Sequence, residues 1–218
     1  MDREAERRSM IREQLERRNI RDTRVLDAMV NVPRHRFVPE SLDQQAYADN
    51  ALPIAENQTI SQPYIVALTV AALQLRGNER VLEIGTGSGY AAAVLAQLAA
   101  EVWTIERYRS LAESAAQRLA DLDYTNVHVM IGDGTQGLPE HAPYDAIAVA
   151  AAGPHVPRSL LGQLAPGGRL VIPIGSMDEQ KLIRILRTSQ GLQEESLGPV
   201  RFVPLVGREG WQDDREVD

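Results

Sequence analysis

The 218-residue chain contains no cysteine, which excludes disulfide scaffolds, cysteine nucleophiles, thiolate zinc sites and iron–sulfur clusters together. Aromatic residues are scarce, at 5%, and Lys181 is the one lysine among 23 basic residues. That arginine bias reads as a property of the genome, not of function. Long apolar runs are missing too. The best, YAAAVLA, stops at Gln97, far short of the roughly 20 residues that a membrane-spanning helix needs. The opening MDREAERRSM is too charged for the apolar core of a signal peptide. Nor is there an excess of basic charge: 23 Lys+Arg face 30 Asp+Glu, for a net −7. That balance argues against a protein held on nucleic acid by phosphate contacts. What remains, 44% hydrophobic and 24% charged residues, is ordinary for a soluble domain with a sizeable core. A cytoplasmic protein is expected.

The pattern along the chain changes at Pro63. Before it, Met10, Ile11 and Leu15 recur at helical spacing. Asp22 or Thr23 is placed to cap a second helix carrying Val25, Leu26, Met29 and Val30, which must end before Pro33. From Pro33 to Pro63, prolines with Asn50 and Asn57 break up any long element, as in many binding loops. Beyond Pro63, YIVALTVAALQL reads as a helix ended by Gly77, and apolar runs at 80–84, 102–106, 127–132, 144–152 and 168–175 read as strands. Helical patterns separate them, with a short one near Ser159 to Leu164. Such alternation predicts an α/β fold, a doubly wound and mostly parallel sheet with helices on both faces. The stretches 181–188 and 200–205 have no helix between them, so they should form an antiparallel edge. The expected organisation is one domain over 1–207, in which 1–63 is an N-terminal helical extension with a loop and 64–207 the core with its C-terminal strands. Residues 208–218 are expected to be an acidic, disordered tail.

The sequence VLEIGTGSGY places Gly85, Gly87 and Gly89 directly after a strand and before a helix. Glycines there permit a tight turn and let the backbone approach a ligand where a β-carbon would collide. The dinucleotide fingerprint is G-x-G-x-x-G, whereas here the spacing is two and two, and Glu83 precedes the loop. A carboxylate so close would repel a pyrophosphate. Glu106 ends the next strand, where an acid can hydrogen-bond ribose hydroxyls. Taken alone, a strand-end Glu is more often a solvated edge residue. Asp133 and Gly134 follow the third strand, and an ordinary Asp-Gly turn is their plain alternative. The four histidines, His35, His128, His141 and His155, show no metal-ligand spacing, so no metal is expected.

The E-x-G-x-G-x-G arrangement resembles the first motif of the Rossmann-like S-adenosylmethionine-dependent methyltransferases. Four further segments narrow the likeness: VPRHRFVPE (32–40), ALPIAENQTISQPYIVA (51–67), GDGTQGLPEHAPYDAI (132–147) and VRFVPLVG (200–207). Together they resemble the protein-L-isoaspartate O-methyltransferases, bacterial members most closely, over nearly the whole chain. The QTISQP segment is specific to that family. The resemblance implies methylation of the α-carboxyl of L-isoaspartyl residues in damaged proteins and a monomeric cytoplasmic repair enzyme. Its cofactor would be held by Glu83, Gly85, Gly87, Gly89, Glu106, Asp133 and Gly134. Asp133 would meet the adenine. Ser61 would position the substrate carboxylate, Thr59 and Ile60 would line the same loop, and Leu205 and Val206 would close the peptide groove. One departure is visible: relatives read AAP after the fourth strand, and this chain has AAAGP, with Gly153 before Pro154.

Three other functions fit parts of the pattern. A methyltransferase acting on RNA or a small molecule would keep the cofactor site, though the acidic balance opposes RNA. A nicotinamide-dependent oxidoreductase is disfavoured by the glycine spacing and by Glu83. A non-catalytic nucleotide-binding module would not need a serine loop beside the pocket.

Overall fold

The computed structural model describes residues 3–212. Its centre is a seven-stranded sheet ordered β5-β4-β3-β6-β7-β8-β9. The parallel part comprises β3 (Arg80–Ile84), β4 (Glu101–Glu106), β5 (Val127–Ile131), β6 (Tyr144–Val149) and β7 (Leu164–Gly175). The antiparallel edge is β8 (Gln180–Thr188) and β9 (Gly191–Val200). A separate two-stranded hairpin, β1 (Leu52–Pro53) and β2 (Thr59–Ile60), lies in the loop-rich segment before Pro63.

Both faces of the sheet are covered, which is why its central strands read as unbroken apolar runs. Val81, Val102, Ala146 and Val171 turn toward α2 (Thr23–Asn31), α3 (Pro63–Leu73) and α4 (Tyr90–Ala96). Leu82, Ile147, Leu170 and Ile172 turn the other way, toward Leu160 of α6 (Arg158–Gln163) and Leu205. The Asp22 side chain caps α2 by accepting from the Arg24 N–H at 3.0 Å. Helix α5 (Arg109–Asp121) brings Ala115 and Leu119 against Gly89.

Boundaries differ from those expected at the end of α3 and at the antiparallel edge. Helix α3 ends at Leu73, because Gln74 takes a left-handed conformation (φ 52°) and caps it before Gly77 is reached. The antiparallel partner of β8 is 191–200, not 200–205. Most of β9 is solvent-exposed, so it has no buried face to imprint an apolar alternation. Residues 201–205 instead cross the ends of the parallel strands, where Leu205 N donates to Ala152 O at 2.8 Å.

The tail also departs from expectation over 208–212. Gly207 N donates to Trp211 O and Trp211 N to Leu205 O. The Trp211 indole N–H reaches Ala152 O at 2.9 Å. Glu209 accepts from the backbone and hydroxyl of Ser159. Residues 213–218 lie outside the described residues. A β-carbon at Gly207 would stand 2.0 Å from Asp133 Oδ1, a contact that must force movement. Gly207→Ala is therefore expected to release the 207–212 segment, at a cost of about 1–3 kcal/mol. Hydrogen exchange at the Trp211 indole reads this directly, and unchanged protection would refute the fastening.

Candidate functional site

The strand order reverses at β3. The chain leaves β3 for β4 on one side, while β6 lies on the other. A crevice at the carboxyl ends of strands is expected at such a point. A cavity of about 200 Å³ occupies it, walled by the β2 segment (58–61), the glycine loop, residues 105–108 at the end of β4 and just beyond it, Ala150 and Ala151 after β6, and residues 203–206.

The glycine loop is shaped by backbone conformation. Gly87 has φ 52° and Gly89 φ 88°, the latter at the N-terminus of α4. Both lie in the left-handed region that favours glycine. Glu106 ties this loop to its own strand end: Oε2 accepts from Gly87 N at 2.9 Å and Oε1 from Tyr108 N at 3.0 Å. Each carboxylate oxygen keeps acceptor capacity for a ligand hydroxyl.

Glu83 lies beneath the loop and is almost wholly buried. Thr104 Oγ1 donates to its Oε2 at 2.5 Å, and Thr86 Oγ1 lies 2.6 Å from Thr104 Oγ1. Its other oxygen, Oε1, is buried without a partner. Burial pushes the carboxyl up to about 8, against the Thr104 hydrogen bond and with a smaller push from Glu106. Glu83 is thus largely neutral at pH 7, so the repulsion of phosphate inferred from the sequence requires that it first be ionised. It lines a second cavity of about 30 Å³, shared with Ser61, Val66 and Ala150.

Ser61 faces both cavities. Its backbone is fixed from three sides. Ile60 pairs with Leu52 across the hairpin, the Gln62 amide donates to the Asp49 carboxylate at 2.7 Å, and Pro63 opens α3. Its hydroxyl has no protein partner among the described residues.

Of the residues expected at the site, the structure brings Thr59, Ile60, Ser61, Gly85, Gly87, Glu106, Gly134, Leu205 and Val206 around one cavity. Glu83 is placed at the adjoining one. Gly89 and Asp133 are not on the cavity wall. Gly89 packs against Ala115 and Leu119 of α5. Asp133 accepts from Thr135 N and Oγ1, from Gln136 Nε2 and from Arg208 N, at 2.7–3.1 Å. Burial acts to raise its pKa, but those hydrogen bonds outweigh burial and hold the carboxyl below its ordinary value. Four donors occupy the acceptor positions expected to meet an adenine, so Asp133 fastens the C-terminal segment to the loop after β5. Gly134 packs on Ile84, where a β-carbon would stand 2.4 Å from Cγ2. Gly153 is pinned to the end of β7 by hydrogen bonds with Pro173 and Gly175.

Sequence reasoning missed Tyr90, Arg107, Tyr108, Ala150 and Ala151 in the wall. Tyr90 and Tyr108 had a readable signal, since each stands one or two positions beyond a residue already singled out. The alanines carry no side-chain signal. They contribute backbone only, with Ala150 N donating to Ile84 O at 2.8 Å.

Comparison with known proteins bears on the same residues. A family profile described as protein-L-isoaspartate(D-aspartate) O-methyltransferase matches residues 5–210. A protein-L-isoaspartate O-methyltransferase of Roseiflexus sp. (strain RS-1) is 57% identical over 99% of this chain and 98% of its own. A solved protein-L-isoaspartate O-methyltransferase superposes with a TM-score of 0.82 at 30% identity, covering 95% of this chain and 67% of that one. A Plasmodium falciparum structure, described as a putative protein-L-isoaspartate O-methyltransferase in complex with S-adenosyl-L-homocysteine, gives 0.77 at 27% identity, over 90% of this chain and 96% of that one. With a match spanning nearly every described residue, the chain belongs to the protein-L-isoaspartate(D-aspartate) O-methyltransferase family.

Proposed function

We infer that the protein transfers the methyl group of S-adenosylmethionine to the α-carboxyl of L-isoaspartyl residues in damaged proteins. The ester then closes to a succinimide that can reopen to normal aspartate, so methylation initiates repair. The observation that carries this reading is the unpartnered Ser61 hydroxyl, held on a fixed segment between the glycine-loop cavity and the pocket of Glu83.

The residues present fit the cofactor. The left-handed glycine turn admits a ligand close to backbone, Glu106 retains acceptor capacity for ribose hydroxyls, and the orphaned Glu83 Oε1 suits a cationic group. When bound, S-adenosylmethionine supplies a methyl group activated by a sulfonium. The chain's own residues orient the substrate and exclude water. A peptide α-carboxyl has a pKa of about 3.3–3.7, so it is already ionised at neutral pH and no general base is needed. Ser61 donates a hydrogen bond to the non-attacking carboxylate oxygen and holds the other in line. Thr59, Ile60, Leu205 and Val206 form the walls of the peptide groove. We place the enzyme in the cytoplasm as a monomer acting on polypeptide and not on nucleic acid, in keeping with 30 acidic against 23 basic residues. Among the described residues no helix is long and apolar enough to cross a membrane.

Two outcomes test the Ser61 assignment. Ser61→Ala removes one hydrogen bond to an anion, worth about 1.5–3 kcal/mol, so turnover should fall roughly ten- to a hundredfold. Calorimetric affinity for S-adenosylmethionine should stay unchanged. Complete loss of turnover in a folded variant that still binds cofactor would point to a covalent role instead. An isoaspartyl peptide should be methylated and its aspartyl twin essentially not; equal rates on both would move the chain to a different methyltransferase activity.

Glu83 gives a pH signature. Its folded pKa of about 8 lies above the ordinary 4.5, so the folded protein holds a proton that the unfolded chain has lost. The resulting stabilisation is fully present below about 4.5 and is lost as pH rises through about 8. In the ligand-free protein this slope should vanish in Glu83→Gln. Placing a cationic group against Glu83 ionises it, so cofactor binding near pH 7 should release a proton, measurable by calorimetry in buffers of different ionisation enthalpy. Equal proton release by the Gln variant would remove Glu83 from the binding event.

A further inference from the structure

Two arginines contact the glycine loop from outside the cavity. Arg118, on α5, donates from Nη1 to the Ser88 carbonyl at 2.8 Å and from Nη2 to Ser114 Oγ at 3.1 Å. Arg34, in the turn that follows α2, is fully buried. Its Nε donates to Ala46 O at 2.8 Å, its guanidinium carbon lies 4.8 Å from the centre of the Tyr90 ring, and Tyr90 acts on it through charge and a side-chain hydrogen bond. Phe37 meets the same ring edge-on, with centroids 5.6 Å apart. Ser88 and Tyr90 flank Gly89, and both line the cavity that neither arginine reaches.

A buried guanidinium is ordinarily paired with a carboxylate. Here burial lowers the pKa of both arginines; Tyr90 and Tyr47 oppose it in part at Arg34, and among the described residues no carboxylate is one of the groups acting on either. A leucine or methionine would fill the volume beside Tyr90 without that cost. What an arginine adds is a planar cationic face for the ring and a fixed donor for a carbonyl. Both additions fall on the turn that must hold its left-handed conformation for backbone to approach the cofactor.

We propose that Arg34 and Arg118 are positioning residues for the cofactor loop, one holding the Tyr90 ring and the other the Ser88 carbonyl, so that together they set affinity for S-adenosylmethionine and not for the peptide. The proposal rests on the reading that this loop binds S-adenosylmethionine. It deepens that reading by extending the cofactor site to α5 and to the N-terminal segment. The two arginines act on residues one glycine apart, so their effects should be coupled and not additive.

Calorimetry with S-adenosylmethionine and S-adenosylhomocysteine tests it, alongside steady-state rates on an isoaspartyl peptide. Arg118→Met, on a half-buried helix position, should weaken both cofactor forms about tenfold. Peptide KM at saturating cofactor should stay within twofold. Arg118→Lys should recover most of the affinity, because one ammonium suffices for one carbonyl. Arg34→Lys should not recover what Arg34→Met loses, because the planar face and the Nε bond to Ala46 both need a guanidinium. If Arg34→Met fails to fold, the Arg118 pair carries the test. A folded Arg118→Met with wild-type cofactor affinity overturns the proposal, even if its Tm is lower, since that outcome marks a merely structural role. Loss confined to peptide KM overturns it as well. Failure of the wild-type protein to bind either cofactor form would instead overturn the reading of the loop on which the proposal stands.

Discussion

The reversal of strand order at β3 is the constraint on which the rest of the site depends. Because β4 lies on one side of β3 and β6 on the other, the chain segments leaving β3 and β6 diverge and leave a crevice between them. Ala150 N, just beyond β6, still bonds to Ile84 O at the end of β3, so the crevice floor is continuous sheet. The glycine loop can be open and left-handed only because its two ends are anchored this rigidly. The Gly85 N–H to Ile105 O bond at 2.8 Å carries the same anchoring across to β4.

Three acids stand at or near the carboxyl ends of neighbouring strands, and their surroundings give them different work. Glu106 takes one backbone N–H on each oxygen and faces the cavity, so it can hold a loop and still meet a ligand. Glu83, one strand over, is enclosed by the core, and burial pushes its carboxyl up to about 8. Asp133 accepts from four donors, one of them the Arg208 N–H from the C-terminal segment. A strand-end carboxylate is therefore defined by what faces it. Position along the strand is the part a sequence displays; the facing partner is the part it does not.

That distinction explains which features were legible. Strands β3, β6 and β7 have buried residues on both faces, so their composition announces them, and the spacing of Gly85, Gly87 and Gly89 singles out the loop. The resemblance carried by QTISQP pointed to Ser61. Strand β9 was invisible because an exposed edge buries nothing, so LQEESL shows no apolar period. The end of α3 was misplaced because a non-glycine residue, Gln74, adopts the left-handed cap. The four-donor setting of Asp133 is not legible in the sequence, because one donor, Arg208 N, lies 75 residues away in the chain. The fastening of residues 208–212 is not legible because it is made by hydrogen bonds with Ser159, Ala152 and Asp133, which leave no hydrophobic signature there beyond Trp211.

The parallel core by itself walls only part of the crevice. The rest is assembled from the two flanks: the β1–β2 hairpin brings Thr59, Ile60 and Ser61 from before the core, and the 203–206 crossing brings Leu205 and Val206 from after it. Each flank is secured to the core independently of the other. The hairpin tip is latched where Ser110 Oγ donates to Glu56 Oε1 at 2.6 Å, on the helix that follows Glu106. The crossing is held at Ala152 and through Asp133. Core elements around the crevice thus serve as anchors for both flanks, at α5 on one side and at the loop after β5 on the other. A glycine loop of this kind can serve many methyl acceptors, and the choice of acceptor lies in what is fastened over it. In this chain those fastenings place a fixed serine hydroxyl at the wall shared by both cavities, which is the geometry that orienting a carboxylate requires.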